Sequence, residues 1–376
     1  MNGKERVLKT IAHEEPDRVP IGEAGVDHDH IAKILGRETF IRNRKATTIA
    51  LWQNRRDEVV ETMKSDYKEL VEKLDYDLLS VELVASKDHF CDDEPKEISD
   101  GVWEDKKGNI YKYASSNDSI MKMTASPENE EISEEDINKE AKLDESKFEL
   151  LDYVGKTFGD EKAVLMRNVD SYGILVNPFG GDYSHKLMMC AIEPDMVKEM
   201  YRYGLEYNRL HIERAKKSGA VIAMQCHDYA MNSGTIMSPN TLRDIFFPFM
   251  TMLNDEIIKN DMIPFFHCCG NTWDILPDFV KSGFKGYQSI QSTAGMYNQK
   301  VKDIYGRDLT LWAGIQCETL VEGSISDTVE EVERSLEILM PNGGFIFGST
   351  NSVQFGAKTD NYLRALEIVR NKGVYR

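Results

Sequence analysis

The sequence has no excess of positive charge. Its 46 lysines and arginines are outnumbered by 64 aspartates and glutamates, a formal net charge of −18. A nucleic-acid-binding chain normally carries a basic face, so a phosphate-backbone partner is disfavoured. A polyanionic substrate would need a local basic pocket to overcome the same field, and the plain reading of such acidity is solubility. No apolar run approaches the ~20 residues that span a bilayer, and no membrane partner is expected. No secretory signal pattern is visible at MNGKERVLKT, so a cytoplasmic protein is expected. The six cysteines do not suggest a disulfide framework. Cys268 and Cys269 are adjacent, and the chain is long for a stapled scaffold, which points to reduced thiols. A low-complexity linker and a short internal repeat are also missing.

What is present is an alternation of strands and helices. Eight short β-branched or apolar runs read as strands: residues 18–23 (RVPIGE), 77–83 (DLLSVEL), 163–169 (AVLMRNV), 220–226 (AVIAMQC), 262–267 (MIPFFH), 286–290 (GYQSI), 309–315 (LTLWAGI) and 344–348 (GFIFG). Most are nearly continuous apolar runs, which suits parallel strands covered on both faces. Helical patterns fill most of the gaps. Residues 193–218 carry apolar and aromatic residues at helical spacing, Ser238-Pro239 supplies an N-cap and a proline at the first helical position, and residues 327–339 read as amphipathic. Strand and helix repeated to eight predicts an α/β protein with a single (β/α)8 (TIM) barrel domain over residues 1–376. A doubly wound sheet would be the alternative, but no glycine-rich phosphate turn follows the first strand. Residues 101–150 break the pattern between strands two and three. GVWEDKKGNIYKYAS reads as a hairpin turning at Lys-Lys-Gly-Asn, and the acidic stretch 128–149 reads as a solvated, partly helical excursion. Both are expected to form an insertion.

In such a barrel the active site lies at the C-terminal strand ends, where the chemically able residues cluster. Strand four ends in Cys226-His227-Asp228, strand five in His267-Cys268-Cys269-Gly270, strand seven in Gln316-Cys317-Glu318 and strand eight in Ser349-Thr350-Asn351; strand one runs into Glu23 and strand two into Glu82. Residues two apart at a strand end face the same side, so His267 and Cys269 can converge on one ion while Cys268 points elsewhere. A catalytic zinc usually has three protein ligands and one open position. Cys317, soft and at a strand end, is the favoured third ligand, with Asp228, His227 and Glu82 as competitors. Those three are also the candidates for proton transfer and substrate orientation. A lone His-x-Cys is a weak signal by itself, and its place at a barrel strand end strengthens it. Cys91 and Cys190 are expected in the core, where free cysteines are common. His28 and His30 in the DHDH segment read as a solvated helix start rather than a second metal site.

Several stretches resemble the uroporphyrinogen decarboxylase superfamily: RVP after an N-terminal helix, HDYAMNSGTIMSPNTLRDIFFP, FFHCCGNTWDILPDFVKSGFKGYQSIQ, LWAGIQ and NGGFIFGSTNSV. The likeness is greatest from about residue 220 onward, and it is closest to the corrinoid-dependent methyltransferase branch of anaerobes. The resemblance implies a single (β/α)8 barrel. True decarboxylases of this superfamily carry an arginine-rich RQAGRY segment after strand one. Here that region reads IGEAGVDHDH, which lacks guanidinium groups to pair bidentately with carboxylates. In the methyltransferase branch zinc is held by a His-x-Cys pair at strand five and a third cysteine near the end of strand eight. His267 and Cys269 match the pair, but Ser349-Thr350-Asn351 stands where the third cysteine would be.

The resemblance implies methyl transfer between a small donor, such as a methoxylated aromatic ether of an O-demethylase system, and the cobalt of a corrinoid. No Asp-x-His-x-x-Gly signature of a corrinoid domain occurs, so the corrinoid is expected on a separate protein that docks at the barrel mouth. Zinc-dependent transfer from a methylcorrinoid to a thiol such as coenzyme M is the alternative enzyme. A porphyrinogen decarboxylase and a non-catalytic metal- or corrinoid-binding protein are the further alternatives. A homo-oligomer is compatible with the sequence.

Overall fold

The structure is a computed structural model that describes residues 1–115, 118–123, 142–169 and 183–375. In chain order its strands are β1 (Leu78–Val81), β2 (Lys96–Ser99), β3 (Val102–Glu104), β4 (Ile110–Ala114), β5 (Ser119–Lys122), β6 (Ala163–Arg167), β7 (Ile222–Cys226), β8 (Ala230–Met231), β9 (Gly234–Thr235), β10 (Ile263–His267), β11 (Gly286–Gln288), β12 (Thr310–Ile315) and β13 (Phe345–Ser349). Seven of them pair in parallel as one curled sheet, in the order β1-β6-β7-β10-β11-β12-β13. These are the second to eighth strands expected from the sequence.

The first expected strand, residues 18–23, is reduced to single bridges. Ile21 pairs with Phe347 of β13 and Gly22 with Leu78 of β1, so this segment lies between the two edges and closes the sheet into a barrel. The interruption has a local cause. Pro20 has no N–H to donate, and the Ile21 amide is taken by the side chain of Asp77 at 2.9 Å. Asp77 is fully buried and is neutralised by Arg6 at 2.6 Å and Arg18 at 2.7 Å. A buried carboxylate needs such partners, since desolvation alone would expel it.

Two packed layers follow from the strand alternation. Leu78, Leu165, Met224, Phe265, Trp312 and Ile346 fill the barrel interior, while residues of opposite parity such as Leu79, Phe266, Tyr287 and Phe347 meet the helices. The interior is tight at the seam. Trp312 donates its indole N–H to the carbonyl of Gly22 at 2.9 Å, and a Cβ on Gly348 would lie 2.4 Å from that same oxygen.

The expected helices form at Pro194–Lys217, at Pro239–Ile245 with Ser238 accepting from the Thr241 amide, and at Ile325–Leu339. The last starts earlier than its pattern suggested, because Ser324 and Asp327 make a reciprocal capping box. Between β1 and β6 in sequence, β2 to β5 form a separate antiparallel sheet. The hairpin is there, with Trp103 opposite Tyr111 and the turn between Glu104 and Ile110. Of the acidic stretch, residues 128–141 lie outside the described residues; a 3-10 turn at Glu145–Phe148 and a helix at Glu149–Phe158 follow. Among the described residues no helix is long and apolar enough to cross a membrane.

Candidate functional site

Neighbouring strands bring the candidate ligands together. β10 lies between β7 and β11, with His267 level with Cys226 on one side and Gln288 on the other. Asp228 and Cys269 each follow two residues after the ends of β7 and β10. The ligand atoms of Asp228, His267 and Cys269 all lie within 4.8 Å of one another. His267 Nε2 is 3.4 Å from Cys269 Sγ and 3.7 Å from Asp228 Oδ1. The backbone holds this shape: the Cys269 amide donates to Asp228 Oδ1 at 2.8 Å. Gly270 then turns at φ +83°, where a Cβ would sit 2.7 Å from the Ala230 carbonyl. Cys268 points away, fully buried, and accepts from the Tyr229 amide at 3.3 Å.

Two more groups reach the Cys269 sulfur. Asn351 Nδ2 donates to it at 3.0 Å, and the Ser289 hydroxyl lies 3.1 Å away. Ser289 is fully buried and adopts φ +89°, a region that costs a non-glycine residue energy and is often found at functional sites. Burial, with the Asp228 carboxylate beside it, pushes the Cys269 thiol up to about 12, although Ser289 and Asn351 work against this. A divalent cation would reverse that balance, since metal binding deprotonates a coordinating thiol. The donor set is one imidazole nitrogen, one sulfur and one carboxylate oxygen. That chemistry fits Zn²⁺ in an open, catalytic arrangement.

Asp228, expected to compete for the third place, is the third member of the cluster. Cys317 is not. It opens the helix Cys317–Val321, and its thiol donates to the Ser352 carbonyl at 3.5 Å and accepts from Thr350 Oγ1 at 3.6 Å. His227 donates its backbone N–H to the His267 carbonyl at 3.3 Å, and its ring stands edge-on to Tyr229. Glu82 is held by Arg167 at 2.9 Å and Arg42 at 3.2 Å. Its side chain is still 44% exposed; partial desolvation against the cavity raises its carboxyl, but the guanidinium groups of Arg167, Arg42 and Arg44 win and hold it below the usual carboxylate range. A carboxylate so paired is suited to orient a substrate rather than to give up a proton. Cys190 is buried as expected, whereas Cys91 is only partly buried, near the insertion. His30 is fully buried, not solvated, between Thr359 Oγ1 at 2.8 Å and the Gln354 carbonyl at 2.9 Å.

Sequence reading did not single out Gln288, Ser289 or the part played by Asn351. Their only signal was position, immediately at or after the end of a strand. Nor did it anticipate a cavity of about 450 Å³ beside the barrel. This is walled by Val59, Met63 and Leu70 of the helix Arg56–Leu74, with Arg42, Glu82 and Glu23 among its polar lining. Glu23 is almost fully buried. Burial pushes its carboxyl up to about 8, against hydrogen bonds from Ser349 and Tyr362.

Residues 123–372 match the family described as uroporphyrinogen decarboxylase (URO-D). A methyltransferase from Methanosarcina mazei has a similar structure: TM-score 0.66, 15% identity, with 99% of each chain covered. At that identity the likeness shows the fold. A uronate isomerase from Thermotoga maritima (TM-score 0.34, 11% identity, 61% of each chain) and a 7,8-dihydropteroate synthase from Vibrio fischeri (TM-score 0.28, 8% identity, 84% and 86% of the chains) share too little to carry an argument. No curated protein sequence matches the chain.

Proposed function

The chain belongs to the uroporphyrinogen decarboxylase (URO-D) family, and from that premise we propose that it is a methyltransferase that moves a methyl group from a small donor, a methoxylated aromatic ether, to the cobalt of a corrinoid carried by a separate protein. The observation that carries this reading is the Asp228–His267–Cys269 cluster at the C-terminal strand ends. Porphyrinogen decarboxylation is disfavoured because Arg42 and Arg167, near Glu82, are already matched to Asp27 and Glu82 and are not waiting for a polycarboxylate.

Zinc bound there would supply a Lewis acid for the oxygen that leaves as the C–O bond breaks. The protein's own residues would do the rest. His267, Cys269 and Asp228 would hold the ion. His227, next to Asp228 just past the end of β7, would pass a proton to the departing alkoxide or phenolate. Glu82, fixed by its two arginines, would orient the donor, and the apolar cavity wall would take an aromatic ring. The corrinoid protein would dock over the strand ends, since both donor and cobalt must reach the same opening.

The test is demethylation of methoxyarenes by the purified protein with and without a corrinoid protein. Methyl transfer that requires the corrinoid partner and is lost with zinc in His267→Ala supports the reading. Activity without any corrinoid, or decarboxylation of a porphyrinogen, overturns it, and transfer from methylcorrinoid to a thiol would favour the coenzyme M-type alternative.

A further inference from the structure

The ring of His267 has two nitrogens, and only one faces Cys269 and Asp228. Which of them carries the proton decides whether a lone pair is aimed into the cluster. Gln288 is fully buried beside it on β11. Its amide nitrogen donates to the Ser349 carbonyl at 3.0 Å and the Asn351 carbonyl at 2.9 Å. Both amide hydrogens are therefore committed to acceptors that cannot reverse roles, which fixes the orientation of the side chain. The amide oxygen is left facing His267 Nδ1 in close contact. An oxygen can only accept, so Nδ1 must donate, and in the neutral ring the lone pair then lies on Nε2.

We infer that Gln288 is a positioning residue that holds His267 in the Nδ1–H tautomer, so that the unprotonated Nε2 faces Cys269 and Asp228. Its value for metal capture rests on the metal-centre reading above; the tautomer itself does not. The arrangement has a second effect. The carbonyls that anchor Gln288 belong to the same strand-end segment whose Asn351 side chain reaches the Cys269 sulfur. One segment after β13 thus steadies two members of the cluster. Outer partners of this kind set ligand orientation and basicity, and their loss commonly lowers metal affinity 10–100-fold.

The test uses the full-length, metal-free chain labelled with ¹⁵N-histidine, with the His267 signals identified by their loss in His267→Gln. Wild type is expected to show a protonated Nδ1 and an unprotonated Nε2. Gln288→Leu removes both the acceptor and the donors and should lose that tautomer, with zinc affinity, read by chelator competition, falling roughly 10–100-fold. An Nε2–H tautomer in wild type, or an unchanged tautomer in Gln288→Leu, overturns the assignment. The wild-type spectrum decides even if a variant fails to fold. If wild type shows the Nδ1–H tautomer and takes up no zinc, the metal-centre reading fails and the tautomer assignment stands.

Discussion

The side-chain amide of Asn351 donates to the thiol of Cys269 across 3.0 Å. Asn351 lies at the strand end where the sequence resemblance leads one to expect a third cysteine. An amide there cannot bring negative charge to a cation, and the charge would come instead from Asp228, on the opposite side of His267 in the strand order. A metal held there would still meet two anionic donors, with a hard one in the place where the resemblance implies a soft one.

Asn351→Cys should restore a second sulfur beside Cys269. Zinc binding is expected to tighten by roughly tenfold, and Asp228→Ala should become tolerable in that background. Chelator competition, with the sulfur-to-cobalt charge-transfer band of the Co²⁺ form as a second readout, would decide it. An unchanged affinity would mean that the Asn351 position does not reach the ion.

In the wild-type background Asp228→Ala should cost at least about tenfold in zinc affinity, whereas Cys317→Ser should leave it within about threefold. Zinc content after dialysis against a weak chelator separates the two. The reverse order would reinstate Cys317 as the third ligand.

Cys269 holds its proton far above neutrality, with its thiol pushed up to about 12. Metal binding requires the thiolate, so one proton must leave when zinc arrives. The affinity should therefore rise about tenfold from pH 7.5 to pH 8.5. Calorimetry in buffers of different ionisation enthalpy should count one proton released per zinc. No release would show that sulfur stays out of the coordination sphere.

Glu23 carries a stability signature of the opposite kind. Its carboxyl is pushed up to about 8 in the fold, from an ordinary value of 4.5. Between those values the folded protein keeps a proton that the unfolded chain releases, so stability falls as pH rises through that window. Glu23→Gln has no such proton. Relative to wild type it should gain on the order of 3 kcal/mol between pH 5 and pH 8.5, measured by urea unfolding. A pH-independent difference would show that the buried carboxyl is ionised throughout.

Much of this molecule was legible in the order of its residues. The apolar runs that became β6, β7, β10, β12 and β13 are buried along nearly their whole length, so they announce themselves without reference to their neighbours. The two-residue spacing of His267 and Cys269 likewise follows from strand geometry alone. The first strand was harder, because its pairing depends on Asp77, fifty-six positions away in sequence. The third member of the cluster was harder still. Choosing between Asp228 and Cys317 requires knowing that β7 lies beside β10 and β12 does not. Gln288 gave no signal, since a buried glutamine has meaning only once its acceptors are in place.

The seam of the barrel also sets a timetable. Glu23 bonds to Ser349, 326 residues further on, and residues 21 and 22 bridge β13 to β1. During synthesis the growing parallel sheet has two open edges until β13 leaves the ribosome. Only then can residues 18–26 zip the cylinder shut. Contacts of such long range are slow to form, and exposed strand edges invite pairing with other chains. The nascent protein is thus expected to depend on chaperone shelter until β13 has emerged and met residues 18–26.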